Sequence, residues 1–180
     1  MAAEILTIGH STHPIERFLD LLAGASAEAV ADVRRYPGSR RNPQFNLGPL
    51  ADALHQAGVE LEPLGEQLGG RRRARPQSPN GGWRVEGFRA YADHMGSEAF
   101  EAGMRRLEEL AHSRRTAVLC AESDWHRCHR RLIADALVVR GWRVLHIDPD
   151  GRTAPHEMTE FAVVEEDRLI YPPAQGTLTG

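Results

Sequence analysis

The chain has 180 residues, of which 41% are apolar and 26% are charged, and its net charge is −3. This length and composition are typical of one globular domain with a buried core. No apolar stretch approaches the ~20 residues of a membrane-spanning helix, and the segment Met1–His10 lacks the basic region and long apolar core of a secretory signal. We therefore expect a cytoplasmic protein with no membrane contact and with reduced cysteines.

Apolar runs and helical periodicity alternate along the chain. The predicted strands cover residues 5–8, 29–33, 59–64, 116–121 and 142–147. The predicted helices cover residues 15–22, 47–56, 88–95, 98–112 and 127–140, and two short strands about an acidic turn are predicted within residues 161–171. This alternation favours one α/β domain over residues 1–180, a three-layer sandwich with a mainly parallel sheet and helices on both faces.

Residues 65–87 show no periodicity and are rich in glycine and arginine. Loops of this length inside a compact domain are usually functional or mobile. We therefore expect this segment to be a long loop, and its flexibility and charge make it a candidate lid.

The basic residues are unevenly distributed, and all 22 of them are arginine. The absence of lysine excludes a lysine Schiff base and a lysine general base. Residues 34–89 carry ten arginines against five acids, a balance of +5, whereas the rest of the chain carries twelve against twenty. A basic region on an acidic protein predicts an anionic ligand at one place. A solvated arginine-rich loop is the alternative.

Polar segments follow three of the predicted strands, at residues 9–12, 34–36 and 120–122. Right-handed crossovers bring the ends of parallel strands to the same edge of the sheet. Open α/β sheets bind their ligands at this edge. The three segments are therefore expected to form one site.

The segment 117–131 contains both cysteines of the protein, together with Glu122 and a cluster of basic side chains. Cys120 is either a nucleophile with a depressed pKa near a helix start or a buried strand end. Six residues separate it from Arg127, and this loop is acidic and lacks glycine, which disfavours a phosphate cradle of backbone amides. Glu122 is either a general acid/base or the ion-pair partner of Arg130 or Arg131.

Metal binding is disfavoured because structural zinc sites usually show two pairs of closely spaced ligands. Only one tight cluster is present, and Cys128 and His129 would lie about 100° apart on a helix. We therefore expect neither a metal nor an organic cofactor.

The segment 34–45 combines arginines with Tyr36 and Phe45. Guanidinium groups beside aromatic faces can hold phosphates and stack a base. The alternative is that both aromatic rings belong to the edge of the core and that the arginines are solvated.

Several of these motifs together resemble the domain of unknown function 488 family, in the same order and over nearly the whole chain. The matching stretches are residues 7–12, 32–39, 44–46, 68–70, 119–122 and 128–130. The resemblance implies an α/β domain without an assigned activity. It also implies matching positions at His10, Ser11, Arg34, Ser39, Phe45, Cys120, Glu122, Cys128, His129 and Arg130.

The residues predict an enzyme that acts on a phosphate-bearing ligand, a nucleotide or a nucleic acid, by hydrolytic or glycosidic-bond chemistry, and the resemblance supports the site but not the reaction. The candidate catalytic residues are Glu122, Cys120, His10 and His129. The candidate ligand-binding residues are Ser11, Arg34, Tyr36, Ser39, Phe45 and Arg130. Two alternatives stay open: a non-catalytic binding module that uses residues 34–41 and 71–75, and a metal- or redox-dependent site at Cys120 and Cys128.

Overall fold

The computed structural model describes residues 2–175 and contains a six-stranded sheet. Its strands are β1 (Glu4–Gly9), β2 (Ala29–Asp32), β3 (Glu60–Pro63), β4 (Thr116–Cys120), β5 (Arg143–Ile147) and β6 (Thr153–Pro155). Their spatial order is β3-β2-β4-β1-β5-β6, and all neighbours are parallel except β5 and β6. A separate antiparallel hairpin consists of β7 (Val163–Glu165) and β8 (Arg168–Ile170).

Helices cover both faces of the sheet. They are α1 (Ile15–Gly24), α2 (Leu47–Gln56), α3 (Gly65–Leu68), α4 (Glu86–His94), α5 (Glu98–Ser113) and α6 (Arg130–Val139). One core packs α1 and α2 against the sheet, for example Phe18 and Leu54 against Leu6. The other packs α4, α5 and α6 against the opposite face. This arrangement confirms the predicted α/β sandwich with a mainly parallel sheet.

The central strands are apolar because both of their faces are buried. In β1, Ile5 belongs to one core and the next residue, Leu6, to the other. Side chains alternate across a strand, so a continuous apolar run fills both interfaces. Fully burying one such side chain contributes about 1.5–3 kcal/mol.

Three elements differ from the sequence-based expectation. The helix predicted from residue 127 begins at Arg130, because Trp125–Arg127 form a 3-10 turn whose start is capped by the Asp124 carboxylate, 3.0 Å from the His126 N–H. Four residues of the predicted loop 65–87 form α3. The three-residue strand β6 is too short and too exposed to leave an apolar pattern.

No helix within residues 2–175 is long and apolar enough to cross a membrane.

The order of the strands places a crevice between β1 and β4. The chain leaves β1 for β2 through α1 on one face, and it leaves β4 for β5 through α6 on the other. Adjacent strands whose connections diverge in this way leave an opening at their carboxyl ends.

Candidate active site

The segments that follow β1, β2 and β4 meet at the carboxyl edge of the sheet. The N–H of His10 donates to the carbonyl of Cys120 at 3.0 Å, and the N–H of Val33 donates to the carbonyl of Leu119 at 3.0 Å. The three polar segments of the sequence are therefore neighbours in the fold.

Gly9 allows the segment after β4 to cross directly over the end of β1. A Cβ atom at this position would lie 1.7 Å from the carbonyl oxygen of Glu122. Next to it, Ser11 adopts a φ of 48° and donates its N–H to the carbonyl of Ala121 at 2.9 Å. Ser11 therefore contributes to the site through its backbone, by fixing the position of residues 121–122.

A cavity of about 500 Å³ opens at this edge. Its lining includes seven of the predicted site residues: His10, Arg34, Tyr36, Ser39, Cys120, Glu122 and His129. The other three, Ser11, Phe45 and Arg130, lie beside or behind the lining residues. Helix α4 adds Phe88 and Tyr91, which lie in the predicted helix 88–95 and are not among the predicted site residues. The sequence signal that could have identified Tyr91 is its hydroxyl group within an otherwise apolar helix face.

His10 is buried and lies on Phe45, with ring centroids 4.3 Å apart and an interplanar angle of 19°. Its Nδ1 is 2.8 Å from the carbonyl oxygen of Ser11. A carbonyl oxygen only accepts, so Nδ1 carries the proton and Nε2 carries the lone pair. Burial lowers the pKa of His10 to about 4. At neutral pH the ring is therefore an uncharged hydrogen-bond acceptor.

Arg34 forms a nearly buried ion pair with Asp32, the last residue of β2. Its Nε and Nη2 donate to the two carboxylate oxygens of Asp32 at 2.9 and 2.8 Å, and its Nη1 donates to the carbonyl of Phe45 at 2.7 Å. Sequence reasoning did not identify Asp32 as the partner. The charge of Arg34 is compensated within the protein, so its main contribution is to fix β2 against the Pro43–Phe45 turn.

Tyr36 lies at the mouth of the cavity between two arginines. Its side chain is 63% exposed, and the guanidinium carbons of Arg35 and Arg71 lie 5.5 and 5.7 Å from the ring centroid. Arg35 also donates to the carbonyl of Arg71 at 2.7 Å. This contact joins the segment after β2 to the segment after α3.

The segment 65–87 forms one wall of the cavity and is held in place at several points. Gly70, Arg71 and Val85 line the cavity. Upstream of them, the carbonyl of Leu68 accepts from the Tyr91 hydroxyl at 2.7 Å, and the carbonyl of Gly69 accepts from Arg72 Nε at 2.9 Å. Its function as a lid stays a prediction.

Ser39 closes a turn on the opposite side. Its Oγ accepts from the backbone N–H groups of Arg41 and Asn42 at 3.1 and 3.2 Å, and its own N–H donates to Asn46 at 2.7 Å. Its side chain is thus engaged in shaping the rim.

Glu122 is exposed, and within the described part of the chain its carboxylate makes no ion pair or hydrogen bond. The guanidinium group of Arg130 donates to the backbone carbonyls of Glu122 and Ser123, and that of Arg131 donates to Thr159. The predicted alternative of a pair with Arg130 or Arg131 is therefore not formed here.

The buried Cys120 and Cys128 and the half-buried His129 lie together at the floor of the cavity. His129 Nε2 donates to the carbonyl of Val33 at 3.1 Å, which leaves the lone pair on Nδ1, 3.6 Å from the Cys128 sulfur. Burial lowers the pKa of His129 to about 4, so the ring is a neutral base at pH 7.

The two thiols have opposite acidities. Burial raises the pKa of the Cys120 thiol, but the neighbouring Cys128 thiol and the charge of Arg130 outweigh it, so this pKa lies below its ordinary value. The neighbouring Cys120 sulfur, together with burial, raises the pKa of the Cys128 thiol well above its ordinary value. Cys120 is therefore the more acidic thiol of the pair.

Arg130 is 1% exposed and lies behind the cavity wall. Its Nη2 donates to the carbonyls of Glu122 and Ser123 at 3.0 and 3.1 Å. Its Nε and Nη1 are buried and have no hydrogen-bond partner among residues 2–175. The predicted contact of Arg130 with a phosphate in the cavity stays a prediction.

No group of three or more His, Cys, Asp or Glu side chains in the described range 2–175 is placed to hold a metal ion.

Comparisons with known proteins identify a family. Neither the curated proteins nor the solved structures contain a match to the chain. The model of the family described as "Domain of unknown function DUF488" matches residues 14–137, more than half of the chain. The matched range includes α1, the arginine-rich segment, β4 and most of α6. The chain therefore belongs to the domain of unknown function 488 family.

Proposed function

We propose that this protein is an enzyme that acts on a phosphate-bearing ligand, a nucleotide or a nucleic-acid segment, by hydrolytic or glycosidic-bond chemistry at the rim of the sheet. One observation carries the proposal. The unpaired carboxylate of Glu122 lies on the same cavity as Arg35, Arg71 and Arg127.

The charge of the cavity supports an anionic ligand. Among the described lining residues, four are arginines and one, Glu122, is an acid. Arg34 is neutralised by Asp32, which leaves the other three arginines to attract a ligand. A guanidinium group can bind two phosphate oxygens at once.

The size and the surface of the cavity support a nucleotide as the bound unit. A volume of about 500 Å³ lies within the range of roughly 300–1,000 Å³ that small-molecule sites occupy. Tyr36, Phe88 and Val85 give the opening an aromatic and apolar surface. Aromatic side chains stack on any base because every base has a π-face.

Two groups at the rim can transfer protons. A hydrolytic reaction needs a base for the attacking water and an acid for the leaving group. The exposed carboxylate of Glu122 serves as general acid/base, and the neutral ring of His10 offers a second hydrogen-bond acceptor. This chemistry requires no organic cofactor.

The test combines turnover and binding on a panel of nucleotides and short DNA and RNA oligonucleotides. We expect Glu122→Gln to lower kcat by about 10²–10⁴-fold while the Kd for the same ligand stays unchanged. Arg71→Ala and Arg127→Ala should weaken binding. Arg114→Ala is the matched control, because Arg114 pairs with Glu60 at the opposite edge of the sheet. Full turnover by Glu122→Gln would contradict the proposal.

A non-catalytic binding module for nucleic acid or nucleotides is the second candidate. The exposed ring of Tyr36 between Arg35 and Arg71 favours it. In that case no oligonucleotide or nucleotide is cleaved, Glu122→Gln binds as well as the wild type, and the affinity falls steeply with salt. An affinity that does not depend on salt would remove this candidate.

We also propose a cytoplasmic location. Both cysteines are free thiols, and reducing compartments keep thiols in this state. Cell fractionation checks this directly.

A further inference from the structure

Cys120 and Cys128 lie together although seven residues separate them in the chain. Cys120 ends β4, and the 3-10 turn at Trp125–Arg127 folds the chain back so that Cys128 precedes α6. The Cys128 sulfur accepts the backbone N–H of Arg130 at 3.4 Å, and the Cys120 thiol donates to the carbonyl of Glu122 at 3.4 Å. Both side chains are at least 95% buried, and both line the floor of the 500 Å³ cavity. The proposed hydrolytic chemistry uses neither thiol.

Arg130 supplies a second and independent observation. Its guanidinium group is buried, and two of its nitrogen atoms lack a partner among the described residues. A buried cation is costly unless an anion compensates it. No carboxylate within residues 2–175 forms an ion pair with Arg130. The Cys120 thiol and Arg130 Nη2 both donate to the carbonyl of Glu122, at 3.4 and 3.0 Å. A thiolate at Cys120 would therefore lie beside this cation and compensate its charge.

From this arrangement we propose that Cys120 and Cys128 form a redox-active pair that reduces small hydroperoxides, with Arg130 as the counter-ion of the reacting sulfur. This activity is separate from the proposed cleavage of a phosphate-bearing ligand.

The first step is the attack of the Cys120 thiolate on the nearer peroxide oxygen. A sulfur–oxygen bond forms and the O–O bond breaks, so Cys120 becomes a sulfenic acid. The leaving hydroxide or alkoxide takes a proton from solvent. The sulfur loses two electrons and the peroxide gains them.

The second step closes the disulfide. Cys128 attacks the sulfur of the sulfenic acid. As the sulfur–sulfur bond forms and the sulfur–oxygen bond of Cys120 breaks, the proton of the Cys128 thiol moves to the departing hydroxide, which leaves as water. The complete reaction converts two thiols and one hydroperoxide into a disulfide, one water and one alcohol, or two waters when the oxidant is hydrogen peroxide.

The burial of the pair selects for small oxidants. Cys120 lines the cavity but is only 1% exposed. An oxidant must therefore approach a sulfur that its neighbours almost fully cover, and hydrogen peroxide has less bulk to fit against those neighbours than an aryl hydroperoxide has. We therefore expect hydrogen peroxide to react faster than a bulky hydroperoxide.

The experiment is titration of the whole reduced protein with hydrogen peroxide, followed by alkylation and mass spectrometry. We expect the loss of two hydrogen atoms and the loss of both alkylation sites. Trypsin cuts after Arg115, Arg127 and Arg130, so the disulfide links the peptide 116–127 to the peptide 128–130. Dithiothreitol should separate this pair of peptides.

Two single variants separate the functions of the sulfurs. In Cys128→Ser, oxidation should stop at the sulfenic acid of Cys120, which dimedone traps. In Cys120→Ser, the remaining Cys128 thiol should react with hydrogen peroxide much more slowly than the Cys120 thiol reacts in Cys128→Ser. The far-UV circular dichroism of each variant reports whether it is folded.

The proposal is overturned if the native protein keeps both thiols at peroxide concentrations that oxidise the same chain in denaturant. It is also overturned if dimedone labels Cys128 in preference to Cys120, or if the tryptic disulfide joins cysteines of two different chains.

Discussion

At the scale of single residues, the same residue type takes different functions according to its partners. Arg34 and Arg130 are both nearly buried, but the charge of Arg34 is matched by Asp32, while two nitrogen atoms of Arg130 have no partner within the described chain. Arg35, Arg71 and Arg127 stay at the mouth of the cavity. The sequence presents five arginines near the rim, and the fold divides them between structure and ligand binding.

The pair formed by Asp32 and Arg34 leads to a stability prediction. Removing one partner of a buried pair leaves an uncompensated charge and costs about 3–5 kcal/mol. We expect Asp32→Ala and Arg34→Ala to lower the free energy of unfolding by about this amount in urea titrations. Arg114→Ala, which breaks an exposed pair, should cost less than about 1 kcal/mol. If the variants of the buried pair and Arg114→Ala lowered the free energy of unfolding equally, the prediction that the buried pair contributes more to stability would be wrong.

Three histidines with lowered pKa values predict how the free energy of unfolding depends on pH. Burial lowers the pKa values of His10 and His129 to about 4 and that of His146 to about 2, whereas an unfolded histidine titrates near pH 6.5. Below about pH 6.5 these histidines bind protons in the unfolded chain but stay unprotonated in the folded chain. Their contribution to the free energy of unfolding is therefore fully present above about pH 6.5. It decreases towards pH 4, by up to about 1.4 kcal/mol per pH unit for each histidine.

Urea titrations between pH 7.5 and about pH 4.5 measure this slope. His129→Gln keeps an amide donor for the carbonyl of Val33 but does not titrate, so its slope should be smaller than that of the wild type. A stability that rises as the pH falls through this window would contradict the prediction.

At the scale of elements, close backbone crossings determine the shape of the rim. The segment after β4 crosses β1 at Gly9, and α3 approaches the segment after β2 at Gly65, where a Cβ would lie 2.0 Å from the carbonyl of Arg34. Neither position has space for a side chain.

The crossing at Gly9 gives a specific prediction. In Gly9→Ala, the new methyl group would overlap the carbonyl of Glu122, so the segment 121–124 must move away from β1. We expect a loss of about 3 kcal/mol or more, since cores tolerate overpacking poorly, and a loss of ligand binding. Gly24→Ala is the matched control because no atom lies within 4 Å of its added Cβ, and it should change stability by less than about 1 kcal/mol. Thermal unfolding of both variants provides the measurement.

At the scale of the whole molecule, a chain of hydrogen bonds connects the C-terminal segment to the sheet. His146 on β5 donates to His156 at 2.9 Å, and His156 donates to Asp135 on α6 at 2.7 Å. The hydroxyl of Tyr171 donates to the other carboxylate oxygen of Asp135 at 2.8 Å. Residues outside the family match are therefore packed into the same core.

This connection predicts that the chain unfolds as one domain. The far-UV circular dichroism and the fluorescence of Trp83, Trp125 and Trp142 should report the same transition. Tyr171→Phe leaves one oxygen of a buried carboxylate without its donor, which costs about 1–3 kcal/mol, and should shift both signals together. Two separated transitions would show that the C-terminal segment is an independent unit.

The fold was largely predictable from the sequence, while much of the site was not. The apolar runs of β1, β2 and β4 and the periodicity of α1 and α5 depend on neighbours in the chain, so they identify the elements. The start of α6 was misjudged because the cap at Asp124 favours a 3-10 turn that periodicity does not record. The cavity wall from α4 depends on contacts between distant residues, such as Tyr91 with Leu68.

The sequence by itself determined that three polar segments follow parallel strands, and strand direction alone brings them to one edge. Only the tertiary structure decided which of their charged side chains are paired, which are buried and which stay exposed. It pairs Arg34 with Asp32, places Arg130 behind the cavity beside two thiols, and leaves Glu122 exposed. The physical reason is that the periodicity of apolar residues is a local property of the chain, whereas the state of a charged or nucleophilic group depends on burial and on partners that packing brings from distant parts of the sequence.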